Sequence, residues 1–205
     1  EFPYKSCSAE LARISQSVKR IFCVAKYNTY FFKEEEQVTV ANVGEKIKAG
    51  KYFHNSLSNQ SVGGTGTIIL NENRRIALLT CAHIIDFTDT ITTYYQPAFS
   101  FSPKHINSIS IKESQFIFAN EIPEDKKLEV LCTDDVNDIA ILGKVLREPN
   151  DTIPVFPYAL GNSRELEWGS FTYIMGYPLG SRMVTKGIVS SPNLNKKGSF
   201  ILDAL

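Results

Sequence analysis

No sign of charge dominates this sequence of 205 residues: twenty-two basic side chains stand against twenty-two acidic ones. A nucleic-acid binder must neutralise several phosphates with a basic face, so this balance argues against nucleic acid as the main partner. Long like-charged blocks are also missing. The longest, Glu34-Glu35-Glu36, reads as a solvated loop or strand end. No apolar run reaches the roughly 18 residues that span a bilayer as a helix, so no membrane span is expected. No signal peptide is visible, but the chain opens on Glu1 rather than Met, so that absence bounds nothing about the compartment. Cysteine is scarce. Cys7, Cys23, Cys81 and Cys132 contain no CxxC pair, which argues against a structural zinc centre and a disulfide scaffold. Buried free thiols are expected, with a Cys7–Cys23 disulfide as the alternative. Unpaired thiols lean towards a reducing, cytoplasmic setting.

What is present is a chain with 43% apolar and 21% charged residues, enough for a solid core in one domain or one two-lobed domain. Residues 8–20 read as a helix, with Ser8 as its N-cap, Glu10 at its positive end, Leu11, Ile14, Val18 and Ile21 at helical spacing, and Lys19 and Arg20 in its last turn. After it the pattern changes to short runs rich in Val, Ile, Thr, Tyr and Phe. Strands are predicted near 21–32, 37–43, 50–57, 66–70, 75–80, 90–95, 107–118, 128–132, 138–142, 170–175, 183–190 and 199–203. Turn signals separate them, among them Asn71-Glu72-Asn73, Pro97, Pro123 and Gly161-Asn162. Many short strands without a second long amphipathic helix point to an all-β barrel or sandwich. The proline-rich stretch 145–165 reads as a linker. It divides an N-terminal helical segment (1–20) and a first β lobe (21–144) from a second β lobe (166–205).

Three segments carry the chemistry. In the first, Gly63-Gly64-Thr65-Gly66-Thr67 opens a hairpin whose second strand ends at Leu79-Thr80-Cys81-Ala82-His83. This puts a histidine just past a strand end, where a rigid scaffold holds a base at the lip of a cleft. A phosphate loop is excluded because no lysine and no helix follow the glycines. In the second, Asn137-Asp138 precedes the apolar run Ile139-Ala140-Ile141-Leu142. An aspartate there can orient an imidazole; the neighbouring Thr133-Asp134-Asp135 lacks calcium-loop spacing. In the third, Gly176-Tyr177-Pro178-Leu179-Gly180 joins two apolar strands, the second being Thr185-Lys186-Gly187-Ile188-Val189-Ser190. Read singly, each segment is an ordinary hairpin or strand end.

In this order the three segments resemble the trypsin-like serine peptidases of the HtrA/DegP (Do-like) kind, from about residue 60 to 205. The resemblance implies two antiparallel β-barrels preceded by a short N-terminal helix, with the second barrel incomplete. His83 is the expected general base and Asp138 its orienting partner, one ring nitrogen lying about 2.6–3.2 Å from the carboxylate. The implied partner is a polypeptide substrate, and no cofactor and no metal ligand are implied. The family's nucleophile lies in a Gly-Asn-Ser-Gly-Gly segment after a Thr-Asp-Ala strand. Here Leu202-Asp203-Ala204 matches the Asp-Ala and the sequence ends at Leu205, with no Gly-x-Ser-Gly or Gly-x-Cys-Gly anywhere. Ser190, Ser191 and Ser199 fall where the family places strands or hairpins. The chain is therefore expected to be a fragment, inactive by itself, whose remainder forms a separate partner. Cys81, two residues before His83, is expected in the core rather than as nucleophile, as is Cys132. Three other readings compete: a non-catalytic scaffold of the same fold, a variant of it with a cysteine nucleophile, and a β-barrel interaction module whose histidine is incidental. His54 and His105 have no ligand-like neighbours. The aromatic segment Tyr94–Phe101 reads as a long loop.

Overall fold

A computed structural model describes residues 7–96, 104–122, 127–195 and 198–204. The turns expected at Pro97 and Pro123, and Ala98–Phe101 of the aromatic segment, lie outside these residues. The described residues are all-β, with ten strands and two short α-helices. In chain order they are α1 (Ser8–Ser15), β1 (Val18–Phe31), α2 (Val43–Lys48), β2 (His54–Glu72), β3 (Arg75–Thr80), β4 (Thr90–Tyr94), β5 (Ile106–Ala119), β6 (Glu129–Asp134), β7 (Ile139–Val145), β8 (Phe171–Gly176), β9 (Met183–Ser191) and β10 (Ile201–Ala204). Short 3₁₀ turns occupy Glu34–Glu36, Ala82–Ile84 and Ser163–Glu165.

The chain forms two compact units. One comprises residues up to Phe22, Gly63–Ile84 and the chain from Phe118 onward; the other comprises Cys23–Val62 and Ile85–Ile117. Strands β1, β2 and β5 each run from one unit into the other. In the second unit the hydrogen-bonding order is β4-β5-β1-β2. Its core is Phe32, Val38, Val43, Ile106 and Ile109, with Tyr30, Ile47 and Tyr52 packed against them.

In the first unit β2, β3, β7 and β6 pair in that order, and a smaller sheet runs β10-β9-β8. All of these pairings are antiparallel. The β3–β7 ladder runs without a register shift from Arg75 opposite Val145 to Thr80 opposite Ala140. Ile76, Leu78, Ala140 and Leu142 are buried along it. Gly66 on β2 allows the close packing beneath, because a Cβ there would run into Ile21.

Four predicted elements differ. The helix expected over 8–20 ends at Ser15, and β1 begins at Val18. Ile21, Cys23, Ala25 and Tyr27 are all buried, a period-2 pattern that claims the chain for a strand before the helical spacing can be used. Lys19 then points inward and meets Glu121 at 2.7 Å rather than closing a helix. No strand forms at 37–43. Gln37 adopts a left-handed φ of 46°, and Asn42 accepts the Thr39 N–H at 2.8 Å, so the segment turns into α2. The strands expected at 50–57 and 66–70 are one strand, β2, which lies between β1 and β3 and runs through its polar, glycine-containing middle against local propensity.

Candidate active site

The β3–β7 register determines where the two candidate residues fall. Thr80 ends β3 opposite Ala140, so the residues just after β3 and those just before β7 emerge at the same end of the ladder. His83 sits in the 3₁₀ turn that follows β3, between buried Ala82 and Ile84, and this leaves its ring facing out. Asp138 closes the β6–β7 turn. Asp134 pins that turn: its Oδ1 accepts the N–H groups of Val136 and Asn137, both at 3.1 Å, and its Oδ2 accepts the Asn137 amide at 2.6 Å. The acidic group before β7 is thus an Asx turn. Asp138 itself adopts a left-handed φ of 56°, a conformation that Asp tolerates better than most residues and that concentrates at functional sites.

The two residues meet at two points. The backbone N–H of His83 donates to Asp138 Oδ1 at 2.9 Å, and His83 Nδ1 lies 2.7 Å from Oδ2, within the separation expected from sequence. The His83 backbone N–H, then its ring, hold the Asp138 carboxyl below the usual carboxylate range. An ionised carboxylate only accepts hydrogen bonds, so Nδ1 carries a proton in this contact, and in the neutral ring Nε2 is then the nitrogen with the free lone pair. Both side chains reach solvent, with 65% of the His83 and 47% of the Asp138 side chain exposed, so the pair is screened rather than buried.

The cysteines correct the sequence expectation in part. All four are free, but only Cys23 is buried; Cys7, Cys81 and Cys132 are exposed. Strand alternation explains Cys81: Thr80 points inward, donating its hydroxyl to the Thr65 carbonyl at 2.8 Å, so its neighbour faces out. Partial burial, then the Asp138 carboxylate beside it, push the Cys81 thiol up, away from the thiolate a nucleophile needs. Ser190 donates to the Ile201 carbonyl at 3.3 Å, and Ser199 is bound to Asn195 at 2.9 Å.

A cavity of about 510 Å³ adjoins this end of the ladder, walled by Thr65, Cys81 and Ile84 on one side and Met175, Tyr177 and Met183 on the other. The Tyr177 N–H donates to the Thr65 hydroxyl at 3.0 Å. Gly180 accepts from Arg20 at 3.2 Å, and Arg182 reaches both Glu121 at 2.9 Å and the Tyr177 hydroxyl at 2.9 Å. The Gly-Tyr-Pro loop is therefore tied down at both ends, a fixing that its sequence does not announce.

Residues 64–204 match the family model of the trypsin-like peptidase domain. The chain belongs to the trypsin-like peptidase family. No curated protein matches it. The match contains both His83 and Asp138, together with the Gly-Tyr-Pro loop. It leaves out α1, β1, α2 and the first part of β2. The ten strands and two short α-helices of the described residues fit an all-β trypsin-like fold. No helix among the described residues is long and apolar enough to cross a membrane.

Proposed function

We propose that this trypsin-like peptidase domain serves an endopeptidase of the HtrA/DegP kind, in which His83 is the general base and Asp138 orients it. The observation that carries the reading is the two-point contact between them. One carboxylate oxygen holds the His83 backbone and the other holds Nδ1, so the ring presents Nε2 outward. In the reaction, Nε2 takes the proton of a hydroxyl nucleophile as it attacks the scissile carbonyl. The same proton then passes to the leaving amine, and water hydrolyses the acyl-enzyme. The nucleophile in this reading is not one of the 205 residues, since Ser190 and Ser199 are engaged elsewhere and the Cys81 thiol is pushed up by partial burial and by Asp138. The chain by itself is accordingly inactive, and its substrate is a polypeptide.

A serine-directed fluorophosphonate probe tests this. It is applied to the natural protein including whatever follows Leu205, with the 205-residue chain and a His83→Ala form of the longer protein alongside. Labelling of the longer protein alone supports the reading. Absence of labelling there, or labelling that survives His83→Ala, contradicts it.

A further inference from the structure

Cys81, His83 and Asp138 each offer a donor atom, and these atoms lie within 4.8 Å of one another. The absence of CxxC argues against a four-ligand structural centre; it says nothing about a three-ligand set assembled from two strand ends. The donors are a thiol, an imidazole and a carboxylate, the mixture that suits zinc and other thiophilic divalent cations, not magnesium or calcium. Around a tetrahedral zinc, donor atoms sit roughly 3–4 Å apart. His83 Nδ1 and Asp138 Oδ2, at 2.7 Å, are slightly closer than that. Cys81 and His83 are exposed, so an ion can reach them and both side chains can turn. Three protein ligands leave a fourth position open to water.

We propose that Cys81, His83 and Asp138 form an inhibitory site for a thiophilic divalent cation, zinc in the first instance. The cation takes the place of the Nδ1 proton between His83 and Asp138, that proton moves to Nε2 and the Cys81 S–H proton leaves to solvent, so a bound ion leaves Nε2 protonated and holds the base out of use. The binding claim stands on the donor geometry alone; the inhibitory claim rests on His83 being the base. Cys81 thereby gains a role that its two-residue offset from His83 does not suggest in sequence.

The first arm of the test is zinc binding to the 205-residue chain, read by competition with a chromophoric chelator. It uses a Cys7→Ser/Cys132→Ser background, which removes the other exposed thiols. One saturable site is expected, weakened at least about tenfold by Cys81→Ala and by His83→Ala, and not displaced by magnesium. Cobalt in place of zinc should give a sulfur-to-metal absorption band that Cys81→Ala abolishes. No saturable site, or a site indifferent to Cys81→Ala, overturns the proposal. In the second arm, zinc should slow fluorophosphonate labelling of the longer protein, and a chelator should restore it. Labelling of Cys81→Ala, measured against its own metal-free rate, should hardly change. Binding in the first arm with unhindered labelling in the second overturns the inhibitory claim, while the metal-free His83→Ala control judges the base assignment separately.

Discussion

The β3–β7 ladder and the β8–β9–β10 sheet are both antiparallel and both belong to the first unit, but they use their apolar residues differently. On the ladder, Leu78, Ala140 and Leu142 are fully buried. On the smaller sheet, Phe171, Tyr173, Ile174, Met183, Val184 and Ile188 are all between 42% and 48% exposed, and Val189 is the deeply buried side chain. The candidate catalytic pair hangs from the ends of the well-packed ladder, where close packing fixes register and therefore distance. The less buried sheet supplies a wall of the adjoining cavity. Its loop is held by polar ties, chiefly Thr65 with Tyr177 and Glu121 with Arg182. Hydrogen-bond precision at His83 is thus a property of core packing, while the shape of the cavity depends on a few polar contacts.

The sharpest way to break this contrast is at the pair itself. Asp138→Asn in the longer protein should leave the ladder folded and lower fluorophosphonate labelling by about four orders of magnitude, because an amide no longer enforces the Nδ1–H tautomer. Next in size is the packing difference. Leu78→Ala should cost about 2–5 kcal/mol in urea denaturation of the chain, whereas Ile188→Ala should cost under about 1 kcal/mol. Equal losses would erase the distinction between the sheets. A smaller effect follows from Glu121, whose carboxyl Lys19, then Arg182, hold below the usual range. Glu121→Gln strands a buried lysine, should cost about 1–3 kcal/mol, and should raise amide exchange around Gly180 more than along β3. The smallest is an acid effect at Asp138. Its folded pKa is lowered, so between the folded and unfolded values the unfolded chain binds more protons and stability rises with pH. The contribution is complete above the unfolded aspartate value and is lost as pH falls through the folded one. Melting curves of the natural chain and Asp138→Asn should therefore converge in acid and separate towards neutrality.

Much of this was legible in the sequence because it rests on short-range patterns. Strands β3, β7, β8 and β9 alternate or run apolar between clear turns, and the order of His83 before Asp138 follows from that. The β1 boundary was not legible, since Leu11, Ile14, Val18 and Ile21 fit a helix as well as the observed strand start, and only burial of Cys23, Ala25 and Tyr27 decides between them. The turn at 37–43 depends on a left-handed Gln37 and on the Asn42 side chain accepting the Thr39 N–H, neither visible as hydrophobic periodicity. The exposure of Cys81 depends on Thr80 being the last inward residue of β3, a phase that only the register with β7 sets. Long-range ties such as Lys19 to Glu121 join residues far apart in the chain and carry no local signal.

Nitrogen-15 spectra of the histidine rings in the 205-residue chain test the central claim most directly, since they need neither nucleophile nor substrate. With Asp138 ionised and 2.7 Å from Nδ1, the neutral His83 ring should show a protonated Nδ1 and a bare Nε2, and Asp138→Asn should remove that preference. A neutral His83 ring protonated at Nε2, or a tautomer indifferent to Asp138, would contradict the assignment of His83 as a base oriented by Asp138.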